Sequence, residues 1–175
     1  MNPKSKPLIS AQEIQTKITQ IAKELDRVYA GKELTLVVIL KGAIFLAADL
    51  MRSLRIPTTL EFVRGSSYGM RGTKPGQLSL SGFDELHLQG RDVLLIDDIF
   101  DTGETLTQTV KLLQQKNPQS LATLVLLTKQ AGRKTAYIPT YSLFTVADRF
   151  VVGYGLDYKE HLRGLPDIRT LEEEQ

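Results

Sequence analysis

Three carboxylates within five positions, Asp97, Asp98 and Asp101, follow the apolar run Val93-Leu94-Leu95-Ile96 and lead into Thr102-Gly103-Glu104-Thr105. The run reads as a buried strand. Burying acids is costly, so the carboxylates are expected to emerge at the strand's carboxyl end. Beyond the small, hydroxylated stretch, Leu106, Val110 and Leu113 recur at helical spacing, which makes the segment a strand, a tight turn and a helix N-terminus. Such a turn aims backbone N–H groups and the positive end of the helix dipole at one spot, a setting for phosphate. Thr102 and Thr105 add hydroxyl donors, and Gly103 admits a close approach of backbone to ligand. Asp97 and Asp98 suit a divalent cation or sugar hydroxyls. Oxygen ligands that are few and acidic point to magnesium held mainly through a substrate's phosphates. The stretch calls for a ligand that is phosphorylated, hydroxylated and metal-bound.

Helix capping would account for Asp101 or Thr102, but nothing about a cap requires Asp97-Asp98 upstream. An apolar strand ending in two acids also occurs in P-loop nucleotidases, yet the chain contains no G-x-x-x-x-G-K-[ST]. An EF-hand fails because the twelfth position counted from Asp97, Asp98 or Asp101 is Gln108, Thr109 or Leu112. Taken in order, Leu94 to Leu106 resembles the phosphoribosyl-pyrophosphate (PRPP) signature of type I phosphoribosyltransferases, most closely their 6-oxopurine (hypoxanthine-guanine) branch. The resemblance implies an α/β fold, a mostly parallel twisted sheet flanked by helices, with a small hood built from the terminal segments. It implies that Thr102, Gly103, Glu104 and Thr105 hold the 5′-phosphate, that Asp97, Asp98 and Asp101 meet the ribose, and that Mg2+ is the cofactor. Glu104 is awkward inside a phosphate cradle and is expected to face solvent, where an acid in a first helical turn is favourable.

The elements that must position these groups follow from the rest of the chain. At 175 residues one domain, 1–175, is expected, burying roughly two-thirds of its unfolded surface. Zero cysteines rule out disulfides and thiolate metal sites and fit a reducing compartment, and His87 and His161 form no ligand pattern. No apolar run approaches the roughly 18 residues of a membrane helix and no signal-peptide core is present, so a cytoplasmic protein without membrane contact is expected. A net charge of +2, from 22 basic and 20 acidic residues without a basic block, argues against nucleic acid as a partner.

Residues 1–7 read as a loose polar lead-in. Ser10-Ala11-Gln12-Glu13 fits a capping box for a helix with Ile14, Ile18, Ile21, Leu25 and Val28 on one face and Gly31 as its stop. Leu34 to Leu40 is a strand covered on both faces. Helix, buried strand, helix, strand is the rhythm of a doubly wound sheet, whose ligands bind beyond the carboxyl ends of the strands. Leu40-Lys41-Gly42 therefore closes one strand close to the acidic turn. The resemblance extends to it and implies that Lys41 and Gly42 hold pyrophosphate, often through a cis peptide. Thr58 to Val63 reads as another strand. The segment from about 64 to 82, rich in glycine, is expected to be a mobile lid, and Ser66, Ser67 and Tyr68 resemble the family's catalytic loop. Gln108 to Lys116 completes the helix after the phosphate turn. Leu121 to Thr128 is a covered strand with Lys129 at its tip, 130–139 a connection, and Tyr141 to Val146 a further strand. Residues 171–175 should fray.

Asp148-Arg149-Phe150 to Tyr158, with Arg163 beyond, resembles the purine-binding end of the same branch. The implied roles are Phe150 stacking on the base, Val151 contacting it through its backbone, Asp157 near metal and base, and Arg163 on pyrophosphate. Lys129 would donate to the oxygen at C6, a contact that rejects adenine. Asp101 would be the general base at N7, a position that pyrimidines lack. The implied reaction passes phosphoribose from PRPP to N9 of a 6-oxopurine, hypoxanthine and guanine, within a homo-oligomer, dimer or tetramer. Two other readings stand beside it. A xanthine-preferring transferase would differ in the carbonyls around Val151 and Asp157. A PRPP-sensing RNA-binding regulator would need a basic face but neither Asp101 nor Phe150.

Overall fold

The computed structural model describes residues 5–67 and 78–171, apart from the side chains of Ser66, Ser67 and Leu78. Helix α1 (Ala11–Val28) begins at Ser10, whose hydroxyl accepts the Glu13 N–H, while the Glu13 carboxylate accepts the Ser10 N–H at 2.8 Å. That reciprocal pair is the expected capping box. Ile14, Ile18, Ile21 and Leu25 are buried along one face, and Gly31 lies just past the C-cap with φ +75°. The chain continues through β2 (Leu34–Leu40), α2 (Ile44–Ser53), β3 (Thr58–Ser67), β4 (Leu78–Ser81), β5 (Asp92–Phe100), α3 (Glu104–Gln114), β6 (Ser120–Lys129) and β7 (Tyr141–Val146).

These strands form one six-stranded sheet in the order β4-β3-β2-β5-β6-β7, parallel except for β4. Alternate residues of the central strands face opposite sides. Leu36, Val38, Leu94 and Ile96 pack under α1 and α2, whereas Val37, Ile39 and Leu95 meet Leu106, Val110 and Leu113 of α3. Because both faces are covered, β2 reads in sequence as a continuous apolar run. From β2 the chain crosses to β3 on one side, and from β5 to β6 on the other. The winding therefore reverses between β2 and β5, and the crevice beyond their carboxyl ends is the expected ligand site of an open α/β sheet.

The terminal segments build a second, three-stranded antiparallel sheet, β1 (Ser5–Ile9), β9 (Ile168–Leu171) and β8 (Val151–Val152), ordered β1-β9-β8. The lead-in expected to be loose thus contributes an edge strand from Ser5 onward, and Leu171 ends a strand rather than beginning a frayed tail. Burial of Ile9 and Ile168 in the main core ties this hood down.

Two further expectations change. The lid stretch is not structureless at its ends, since Arg64, Gly65, Ser66 and Ser67 pair with Ser81, Leu80, Ser79 and Leu78. Of the expected loop, residues 68–77, Tyr68 included, lie outside the described residues. Helix α3 starts at Glu104, directly after the phosphate turn, with Leu106, Val110 and Leu113 buried on its expected face, and ends at Gln114, two residues before the expected Lys116. Among the described residues no helix is long and apolar enough to cross a membrane.

Candidate active site

Strand β5 runs through the first two acids instead of stopping before them. Asp97 is only 5% exposed. The expectation that the carboxylates emerge thus holds for Asp101, whose side chain is 46% exposed, and fails for Asp97. The Asp98 N–H donates to Asp97 Oδ1 at 3.0 Å, which partly offsets the cost of burial. Burial pushes the Asp97 carboxyl well above the usual carboxylate range, and the adjacent Asp98 charge adds to that. Burial also raises Asp98, against which hydrogen bonds from Asp97 and the Ile99 amide and the nearby Arg163 charge work.

After β5 the chain turns at Gly103, which is the N-cap of α3 at φ +84°. A Cβ at this position would strike the Phe100 ring and the Thr135 hydroxyl. No side chain caps the helix; Thr102 Oγ1 lies a long 3.4 Å from the Glu104 N–H. Apart from that long bond to the Glu104 amide, no side chain caps the turn, which leaves the other first-turn amides to an anion. Glu104 turns outward, with Lys134 Nζ at 3.8 Å.

The turn between β2 and α2 enters the same crevice. Its Leu40–Lys41 peptide is cis. Gly42 lies so close to the Asp98 carboxylate that a Cβ would overlap it, and Gly155, at φ +101°, sits equally close to the Gly42 carbonyl. These two glycines let three segments touch. Arg163 comes over with Gly155: its Nη1 donates to the Gly155 carbonyl at 2.7 Å and its Nη2 is 2.7 Å from Asp157. The Arg163 Nε is buried without an acceptor. Lys41 Nζ is 2.8 Å from Glu160.

On the far side of the acidic turn, Lys129 emerges from β6 with its side chain 13% exposed, 3.2 Å from Asp101 and 3.1 Å from Asp148. Burial pulls the Lys129 ammonium toward neutrality, but hydrogen bonds to Asp148 and Asp101 outweigh it, so the lysine stays charged. Phe150 is 55% exposed and set edge-on to Tyr158, with centroids 5.9 Å apart, whereas Val151 is buried in β8. A half-exposed ring two residues after the Asp148 that Lys129 meets suits stacking by a flat base.

The phosphoribosyl transferase domain matches residues 8–159. The chain belongs to that family. It is 37% identical over 171 residues to the hypoxanthine-guanine phosphoribosyltransferase of Dictyostelium discoideum, covering 95% of each chain. It is also 39% identical over 173 residues to the bifunctional protein TilS/HprT of Listeria innocua, matching 99% of itself but only 27% of that longer protein. Among solved structures, a hypoxanthine-guanine phosphoribosyltransferase from Bacillus anthracis superposes with TM-score 0.87 at 31% identity, over 98% of this chain and 100% of that one. A hypoxanthine phosphoribosyltransferase from Trypanosoma cruzi in complex with the product IMP gives TM-score 0.87 at 34% identity, over 98% and 95%.

In this phosphoribosyltransferase the chemistry of the donors fits a hard cation only in part. Among the described residues no three acidic or imidazole side chains converge as a protein cage. Asp157 is committed to Arg163 and to the Glu160 N–H, at 2.7 and 2.8 Å. Asp97 and Asp98 remain, two crowded and partly desolvated carboxylates suited to an ion that brings its other ligands with it. Sequence reasoning missed Glu160 and gave no role to Asp148 or Gly155. Only the Gly153-x-Gly155 spacing hinted at a close approach, and no local pattern marks Glu160, whose partner Lys41 is 119 residues away.

Proposed function

We propose that the chain is a purine salvage enzyme that transfers the 5-phosphoribosyl group from PRPP to N9 of hypoxanthine, and of guanine, releasing pyrophosphate. The observation that carries this reading is the 3.2 Å contact between Lys129 and Asp101 beside an uncapped helix N-terminus. A carboxylate facing a ribose and a fixed ammonium at a base platform are what a 6-oxopurine needs and a pyrimidine does not. The names of the relatives and the IMP held by the Trypanosoma protein support it.

In this reading the first-turn amides of α3, with Thr102, Gly103 and Thr105, bind the 5′-phosphate. Asp97 and Asp98 would hold Mg2+, which when bound neutralises charge on the phosphates. Phe150 stacks on the purine, and Val151 and Asp157 border it. Lys129 donates to the C6 oxygen. As N9 attacks C1 of the ribose and the bond to pyrophosphate breaks, Asp101 takes the proton at N7. Lys41, Gly42 and Arg163 hold the charge gathering on the leaving group. Ser66, Ser67 and Tyr68 stand as lid residues. The site of action is read as the cytoplasm and the working form as a homo-oligomer, to which exposed Ile44, Leu60 and Phe62 offer apolar surface.

Incubation with PRPP, magnesium and each of hypoxanthine, guanine, xanthine, adenine and uracil tests the assignment. Formation of IMP and GMP, without AMP or UMP, is expected, because an unpaired buried donor at Lys129 costs roughly 1–3 kcal/mol with adenine. Nucleotide formed only from uracil or adenine would overturn it.

A further inference from the structure

Lys41 and Arg163 come from two touching segments, the turn after β2 and the stretch beyond Gly155, and share one acceptor atom. Glu160 Oε2 is 2.8 Å from Lys41 Nζ and 3.5 Å from Arg163 Nη2. The same atom position is where a phosphate oxygen gripped by both cations would sit. We propose that Glu160 is an internal stand-in for the leaving group: its carboxylate occupies the pyrophosphate subsite between turnovers and competes with pyrophosphate for Lys41 and Arg163.

Two further features support this. The chain goes to conformational expense to put Glu160 there, since Lys159, Glu160 and Leu162 have φ of +51°, +67° and +71° without being glycine. Reciprocal backbone bonds between Tyr158 and His161, and the Glu160 N–H on Asp157, close this turn. Glu160 is also separable from its neighbour Asp157. Asp157 and Gly155 keep Arg163 anchored by partly buried contacts, whereas Lys41 and Glu160 are 68% and 64% exposed, a pair weak enough to open for a stronger anion. Holding the hydrogen-bonding partners of both cations while the ligand is absent spares them a large rearrangement. Re-forming the contacts as pyrophosphate leaves favours product departure over retention.

The inference rests on the reading of Lys41 and Arg163 as the pyrophosphate site, and one titration separates the two. Magnesium pyrophosphate is titrated calorimetrically, at fixed ionic strength, into the parent, Glu160→Gln, Lys41→Ala and the double variant. Glu160→Gln should tighten binding about two- to fivefold, the range expected for removing one exposed competing ion pair. It should lower the PRPP KM and strengthen product inhibition by a similar factor while the melting temperature stays put. Lys41→Ala should weaken binding, and the gain from Glu160→Gln should shrink in the double variant. Unchanged or weaker binding in Glu160→Gln, with Lys41→Ala still impaired, overturns the stand-in role alone. Unchanged binding in Lys41→Ala overturns the subsite itself, and the inference with it.

Discussion

Asp101 lies 3.2 Å from an ammonium whose charge two carboxylates sustain, so the proposed base and the proposed recognition group would act as one unit. Their removal should have different signatures. Asp101→Asn keeps the shape but not the proton acceptor, and turnover at saturating PRPP should fall about a hundredfold, toward the low end of general-base contributions. Equal steady-state rates would end the base assignment. On the proposed function Lys129→Ala would remove a charged hydrogen bond to the purine, worth about 1.5–3 kcal/mol, so hypoxanthine should bind about ten- to a hundredfold more weakly while PRPP affinity survives. Should both affinities fall alike in equilibrium binding, Lys129 is structural. Both residues were legible because Lys129 ends its strand and Asp101 directly follows its own, each charged side chain coming just after an apolar run. Glu160 was not, since left-handed residues over 159–162 return it to the crevice and no periodicity encodes such a turn.

The elements converge on the crevice through close backbone approaches more than through side-chain packing. Gly42 is pinched between the Asp98 carboxylate of β5 and the Gly155 segment that follows β8. Gly42→Ala should therefore displace Asp98, weakening magnesium-PRPP binding more than it lowers the melting temperature; a variant that binds PRPP like the parent would show that the crowding is relieved elsewhere. The hood is tied to α2 by the Tyr154 hydroxyl, which donates to Asp49 at 2.6 Å. Burial raises the Tyr154 pKa beyond the ordinary tyrosine range, and the Asp49 hydrogen bond and charge add to this. A raised acid pKa means that the folded state holds the proton more tightly, so this stability is present below about pH 10 and is lost as pH rises through that point. Tyr154→Phe should cost about 1.5–3 kcal/mol at pH 7 and flatten the decline in denaturant midpoint between about pH 9 and 11. A decline as steep as the parent's would assign it to other groups. Element interiors were readable from sequence, and the bounds of β2 and β7 match. The ends of β3 and β5 were not, because they are set by pairing, β3 with β4 beyond Val63 and β5 with β6 through Phe100. Strand β1 escaped for the same reason: Ser5–Ile9 has no strand alternation and contains Pro7, tolerable only at the edge that β9 provides.

The whole molecule is arranged against its own stability at one place. Both faces of the sheet are covered by apolar helices, yet β5 carries Asp97 into that interior with Asp98 beside it. The order of strands offers a reason: the reversal between β2 and β5 puts the crevice of an open α/β sheet at this tip, where on the proposed function the acids would serve the ligand rather than the fold. Burial raises both carboxyls, so the folded state resists their ionisation, and stability should fall as pH rises above about 4, where unfolded aspartates have lost their protons. Replacing both by Asn keeps the Asp97 Oδ1 acceptor for the Asp98 N–H and removes the charge. In the unliganded state the double variant should melt above the parent at pH 8 and approach it at pH 4. Ligand reverses the ranking. Magnesium PRPP at a hundredfold excess over its Kd should stabilise the parent by about 2.7 kcal/mol, roughly 5–10 °C for a domain of this size. The variant, having lost its donors for the cation, should gain little. Identical melting temperatures for the two proteins at pH 8, with and without ligand, would show that the acids carry neither the cost nor the ligand.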